Sequence, residues 1–408
     1  MSATVLDQTR SDPAPGIRAG RALFALAVGA FAIGTTEFAT MGLLPQIAAG
    51  VAVDIPTAGH LISAYALGVV VGAPLIAALA ARMPRKHLLI VLMAVFAAGN
   101  LASALAGGYP SLLLARFVAG LPHGAYFGVA AVVAAALVAP NRRAQAVSLV
   151  MVGLTVSNIV GVPAATWLGQ TLGWQSSYVA VTAIALLCLL ATFVAVPAVR
   201  IGGGPASVRS ELSALARPQV WFTLVVGMVG FGGMFATYSY IAPTVTTLGG
   251  LPAGGVVWVL ATYGVGMTLG MVVGGRLADR ALLPTLYLGL VGLAIMLAVF
   301  GLLVASPVGA FVAVFVFGAV ATVMMPALQT RLMDVAHDGQ SLAAALNHSV
   351  LNIGNALGAW LGGLVLAMGY SYAWPSRVAV VLPLLGLAIL ALSRWVERRS
   401  ALRQAQGA

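Results

Sequence analysis

The chain has 408 residues, of which 61% are apolar and only 7% charged, with 48 glycines and a formal charge of +11. A water-soluble domain carries roughly a quarter charged residues, so this composition excludes an ordinary cytosolic enzyme. Basic residues are dispersed instead of gathered on one exposed face, which excludes a nucleic-acid partner as their reason, and apolar stretches recurring to the end of the chain exclude a single-span receptor.

Residues 1–20 are polar and hold Pro13, Pro15 and Gly16, the pattern of a disordered cytoplasmic tail. They do not read as a signal peptide, because no short apolar core precedes a small-residue cleavage site. Twelve apolar runs then follow, each long enough to cross a bilayer at about 20 residues. They are α1 (21–48), α2 (57–81), α3 (87–107), α4 (110–138), α5 (143–170), α6 (175–197), α7 (219–247), α8 (253–278), α9 (283–304), α10 (307–331), α11 (341–368) and α12 (373–395). Helices are required because lipid cannot satisfy open backbone groups, and a barrel would show short alternating strands. The longest break, 198–218, contains Gly202-Gly203-Gly204-Pro205 and reads as a flexible cytoplasmic linker between two six-helix bundles, 21–197 and 219–397, with a final tail over 398–408. The expected fold class is all-α, a polytopic membrane protein of two pseudo-symmetric bundles.

The loops alternate in charge. Arg18 and Arg21 precede α1, Arg82, Arg85 and Lys86 follow α2, Arg142 and Arg143 follow α4, Arg200, Arg209 and Arg217 follow α6, and Arg276 and Arg280 close α8. Arg331 closes α10, Arg394, Arg398, Arg399 and Arg403 end the chain, and Arg377 is the exception on the other side. By the positive-inside rule both termini are cytoplasmic, and the +11 is a rim that sets topology.

Of nine acidic residues, eight fall in tails, loops or helix ends; Glu37 alone lies deep within a span, about 16 Å from the outer end of α1. Placing its charge at mid-membrane costs on the order of 3 kcal/mol, and such acids usually face a pathway. A carboxyl so placed can load and release a proton. On α4, Arg116, Gly120, His123 and Phe127 share one face, with Arg116 and His123 at about 9 and 20 Å depth, bracketing Glu37. His123 suits either a proton relay or a hydrogen-bonded structural group. Phe231, Phe235 and Tyr238, with Tyr240 nearby, form a stripe on α7 that suits an apolar or aromatic substrate or plain packing. His348, Asn352 and Asn355 on α11 are amide and imidazole groups in need of partners, at the cavity or in the packing. No metal set, nucleotide loop or nucleophile triad stands out, so neither a cofactor nor an enzymatic reaction is expected.

The halves repeat. Tyr65, Gly68 and Gly72 match Tyr263, Gly266 and Gly270 at an offset of 198; Phe38-Ala39-Thr40 matches Phe235-Ala236-Thr237, and Asn158 and Gly161 match Asn355 and Gly358, at 197. Glu37 and Arg116 align with Met234 and Val314, so the titratable groups stay in the first half. Parallel repeats suggest alternating access around a site near the midplane.

Gly275-Arg276-Leu277-Ala278-Asp279-Arg280 resembles the signature loop of the major facilitator superfamily, and the whole of 21–397 resembles its twelve-helix drug:proton antiporter branch. The first-half copy of that loop keeps Arg82, Arg85 and Lys86 but has Ala77, Ala81 and Pro84 where the usual Gly, Asp and Gly stand. Arg116 matches the α4 arginine that the family associates with proton coupling, and Gly153 through Gly161-Val162-Pro163 resembles the α5 bend of exporters. Pro163 is expected to break the hydrogen-bond ladder and kink α5. Gly34-Thr35-Thr36-Glu37-Phe38, His123-Gly124 and Asn352-Ile353-Gly354-Asn355-Ala356 resemble the subgroup of chloramphenicol exporters and arabinose-efflux-like proteins. The resemblance implies a proton-coupled exporter of a small, partly apolar compound, with protons, substrate and the lipid bilayer as its partners and the monomer as its form. It implies gating contacts at Arg82, Arg85, Lys86, Asn158, Gly161, Pro163, Gly275, Asp279 and Arg280, and residence in the bacterial inner membrane. The alternative is a sugar or nucleoside transporter, exporting or working by proton symport. A membrane enzyme or sensor would need a catalytic cluster or an appended soluble domain, and the chain offers neither.

Overall fold

A computed structural model describes residues 15–53, 55–80, 82–198, 208–252 and 255–406. Twelve of its helices are long and apolar enough to cross a membrane, and no strand occurs among the described residues. The helix carrying α1 spans Pro15–Gly42, so the expected tail loses residues 15–20 to the helix; residues 1–14 lie outside the described residues. The other spans are α2 (Ile55–Ala80), α3 (Arg85–Ala104), α4 (Tyr109–Ala136), α5 (Pro140–Leu172), α6 (Gln175–Ala195), α7 (Pro218–Tyr238), α8 (Val256–Arg280) and α9 (Leu282–Leu303). Two further spans are broken: α10 runs over Pro307–Val323 and Met325–Ala336, and α12 over Trp374–Ala379 and Val381–Gln406. Between them lies α11 (Gln340–Ala367). The final tail expected from 398 is therefore helical as far as Gln406.

The two halves pack alike. In the first, α2 and α3 lie on α4, and α1 on α5 and α6; in the second, α8 and α9 lie on α10, and α7 on α11 and α12. Lipid offers no hydrophobic drive between spans, so small residues decide how closely they approach. A Cβ on Gly72 would meet the Leu121 carbonyl of α4, and one on Gly270 the Ala319 carbonyl of α10, again 198 residues on. These glycines thus seal helix pairs within each half. The first span of each half also breaks at the same place: at Leu43 before a short helix over Leu44–Gly50 that holds Pro45, and at Tyr240 before Ile241–Thr247 with Pro243. Proline has no N–H to continue the ladder.

The kink expected at Pro163 takes a specific form. Arg143–Val156 is α-helical, Ser157–Gly161 is a π turn, and α-helix resumes at Val162. The wider turn absorbs the missing donor. The linker also differs from a plain flexible segment. Residues 199–207 lie outside the described residues, but Val208–Ser213 is a helix followed by a 3-10 turn over Ala214–Ala216, and Ala214 is fully buried against α10 and α11.

The halves meet along α4 and α2 against α11, and along α5 against α8 and α10. From mid-depth to the end carrying the termini, polar contacts join them. Thr155 and Thr268 share a 2.8 Å hydrogen bond, and Ser349 donates to the Val69 carbonyl at 3.3 Å. Asp279 accepts from the backbone N–H of Ala144 at 2.8 Å and of Gln145 at 2.9 Å, and Arg143 pairs with Asp334 at 2.9 Å. This basic end is closed.

Candidate functional site

A narrow cavity lies between the halves, lined from both of them. Glu37 and Phe38 of α1, His123 of α4 and Asn158 of α5 face Phe231, Met234 and Phe235 of α7 and His348, Asn352 and Asn355 of α11. Methionines add apolar wall: Met267 of α8 and Met325 of α10. Asn158 reaches the wall from the π turn, its amide donating to the Leu154 carbonyl at 3.1 Å.

Glu37 brings a carboxyl to an otherwise neutral wall, and no ion pair joins it to Arg116 among the described residues. Neighbouring positions on a helix point about 100° apart, so Thr36 and Glu37 cannot face the same way. Thr36 turns inward, where Arg116 donates to its hydroxyl at 3.0 Å and to its carbonyl at 3.4 Å. The Thr36 hydroxyl in turn donates to the Asn100 side-chain oxygen at 2.6 Å. The guanidinium lies over the Tyr65 ring at 4.5 Å and the Tyr178 ring at 5.4 Å. Arg116 is thus fully buried behind the cavity wall, where it holds the Thr36 turn next to Glu37.

His123 meets the Tyr65 hydroxyl through Nδ1 at 3.0 Å, so Tyr65 connects Arg116 with His123. On the cavity wall, His348 stacks on Phe127 with ring centroids 4.3 Å apart and planes 17° apart, and the two lining histidine rings, one from each half, lie 5.5 Å apart. Phe127, expected to line the cavity, is not among its lining residues and lies behind His348 instead.

Two α7 residues lie outside the cavity, contrary to expectation. Tyr238 stacks on Tyr263 of α8 with centroids 4.7 Å apart. Tyr240 sits past the helix end and donates its hydroxyl to the Ala359 carbonyl at 2.8 Å, tying α7 to α11. Only Phe231 and Phe235 of the stripe reach the cavity.

The expected gating residues separate in the same way. Gly275 lies where a Cβ would crowd Ser148 and Gln145 of the opposite half, beside the Asp279 contact. Arg85 pairs with Glu211 of the linker. Lys86 instead donates to the Phe193 carbonyl at 2.7 Å, which ties α3 to α6 inside the first half. Gly161 packs against α1 within that half, and Arg82 and Arg280 are exposed. Sequence reasoning missed Tyr65, Thr36, Asn100, Tyr178, Glu211 and Asp334. Tyr65 was visible only as a repeat match, and the acids looked like solvated loop charges. Among the described residues no group of three or more His, Cys, Asp or Glu could hold a metal ion.

Two parallel six-helix repeats enclosing a central cavity with one closed end define a secondary transporter. The Major Facilitator Superfamily model matches residues 26–344 and 250–408, and the chain belongs to that family. It is 43% identical to the inner membrane transport protein YdhP of Escherichia coli K12 over 90% of this chain and 94% of that one. It is 34% identical to a chloramphenicol resistance protein of Streptomyces lividans over 88% and 96% of the two chains. The fold is similar to that of the fucose:proton symporter FucP of E. coli, with a TM-score of 0.72, 16% identity and coverage of 91% and 98%.

Proposed function

We propose that this transporter exports a small, partly apolar compound in exchange for protons, a chloramphenicol-like molecule being the best single candidate. The observation that carries the reading is Glu37, a lone carboxyl on the wall of a cavity otherwise built from aromatic, aliphatic, methionine, imidazole, hydroxyl and amide side chains. Such a group can be occupied by a proton or answer to substrate, but serving both at once is disfavoured, which is the requirement for exchange. The apolar wall favours aromatic or aliphatic cargo, and the Streptomyces relative is named for chloramphenicol resistance. Arg116 fixes the Thr36 turn and so the aim of Glu37, and His123, joined to Tyr65, is the candidate relay. The arginine rim and the inner-membrane relative support an inner-membrane protein with both termini in the cytoplasm, working as a monomer of two bundles joined by the linker.

In vesicles, a proton gradient should drive substrate movement in the native protein and fail to do so in Glu37→Gln, while substrate counterflow persists. Full retention of coupling in Glu37→Gln would overturn the mechanism. A second reading, a sugar or nucleoside transporter, draws on Asn158, Asn352 and Asn355, three amides facing one cavity. Susceptibility of cells to chloramphenicol, unchanged by expression, together with accumulation of labelled sugar or nucleoside, would favour it.

A further inference from the structure

The signature loop of the second half closes the basic end through its acid. Asp279 reaches across to α5 and accepts from the N–H groups of Ala144 and Gln145, in the first turn of the helix over Arg143–Val156. Those N–H groups have no partner within their helix, so a carboxylate there satisfies them and meets the positive end of the helix dipole. The repeat offset of 198 converts Ala144 into Leu342, in the first turn of α11, and Asp279 into Ala81. The first half thus lacks the acid needed to make the matching contact.

The contact is nevertheless present. Glu211, from the linker helix Val208–Ser213, accepts from the Leu342 N–H at 3.0 Å through one carboxylate oxygen and pairs with Arg85 at the start of α3 through the other. Glu211 is 1% exposed, and the linker backbone is packed tightly enough that a Cβ on Gly339 would meet Ala214 and the Glu211 carbonyl. A buried carboxylate must keep its partners, because removing them strands a charge. Arg85 belongs to the first half and Leu342 to the second, so any motion that parts α3 from α11 has to break one of the two bonds.

We infer that Glu211 replaces the missing acid of the first-half loop, so that the linker closes the basic end as a second clamp, related to the Asp279 clamp by the pseudo-twofold axis. The linker is then a moving part of the transport cycle as well as a tether between bundles. The inference depends on neither the substrate nor proton coupling.

The test uses Ala345, a buried α11 residue whose carbonyl faces Gly124 of α4 between the cavity and Glu211. In the full chain with Cys188→Ser and Ala345→Cys, a sulfonated maleimide reports how often the basic end opens. Glu211→Gln should raise the labelling rate about tenfold, the scale of one charge-assisted hydrogen bond. Adding Ala81→Asp, at the repeat counterpart of Asp279, should bring it back towards the starting rate. Unchanged labelling in Glu211→Gln overturns the inference, as does a rise that Ala81→Asp does not reverse. If Glu211→Gln fails to purify as a monodisperse protein, recovery of a monodisperse protein on adding Ala81→Asp supports the inference, and failure to recover overturns it.

Discussion

Arg116 is a fully buried cation with no carboxylate partner among the described residues, a costly arrangement inside a membrane. Its charge is met by the Thr36 hydroxyl and carbonyl and by the faces of Tyr65 and Tyr178. A ring over a desolvated cation contributes on the order of 2 kcal/mol. Lysine would keep the charge but lose the planar fork and the stacking. Arg116→Lys is therefore expected to lower transport at least about tenfold with little loss of folded protein, measured by vesicle flux and size-exclusion recovery side by side; native flux in Arg116→Lys would contradict this account. Tyr65→Phe removes only the hydroxyl on His123, which is worth about 1 kcal/mol of net hydrogen bond. It should weaken flux and leave the Arg116 stack intact, and loss of folded protein instead would assign Tyr65 a structural role alone. The shared face of Arg116, His123 and Phe127 was legible from helical spacing. That Arg116 meets Thr36 in place of Glu37 was not, because depth along α1 does not fix the direction in which each side chain points.

At the scale of the element, the π turn in α5 links the proline to the site. It adds one residue to the turn before Val162, which rotates everything before it by about 100° relative to a continuous α-helix. Asn158 lies in that turn and lines the cavity. Pro163→Ala restores the N–H and allows the regular ladder to reform, turning the Asn158 amide away from the wall. Flux should fall while thermal stability in detergent holds or rises; flux at the native level would mean that the turn survives without the proline. The glycines of α2 and α8 predict the opposite pattern. Gly72→Val and Gly270→Val each push a side chain into a carbonyl of the neighbouring helix within one half. Both should cut the yield of folded protein to a similar degree, since the two sites are repeat equivalents. The disruption was legible because Pro163 removes a donor, but that it takes the form of a π turn over Ser157–Gly161 was not, because a missing N–H does not by itself fix how many residues the preceding turn takes.

At the scale of the whole molecule, the fold was the most legible part, because span length, loop charge and a repeat offset near 198 each point to the same two-bundle plan. The ties between bundles were the least legible. Asp279 meets Ala144, Arg143 meets Asp334 and Glu211 meets Leu342 across more than a hundred residues of sequence; Asp279 stands out through its signature loop, but its partner does not, and Asp334 and Glu211 by themselves look like solvated loop charges. The ties should also differ in strength. Arg143 and Asp334 have side chains 29% and 41% exposed, and such pairs are worth about 0–1 kcal/mol and are screened by salt. Asp279 instead holds two helix-terminal N–H groups by charge-assisted bonds, each worth about 1.5–3 kcal/mol. Spin labels at Arg82→Cys and Arg280→Cys in a Cys188→Ser background, exposed repeat equivalents in opposite halves, would report the separation of the basic end. Asp279→Ala should move most of the population to a longer distance at any ionic strength, whereas Arg143→Gln should shift it by less than about fivefold, and only at low salt. Equal shifts from the two variants would mean that the closed end rests on summed surface charge and not on the capped helix.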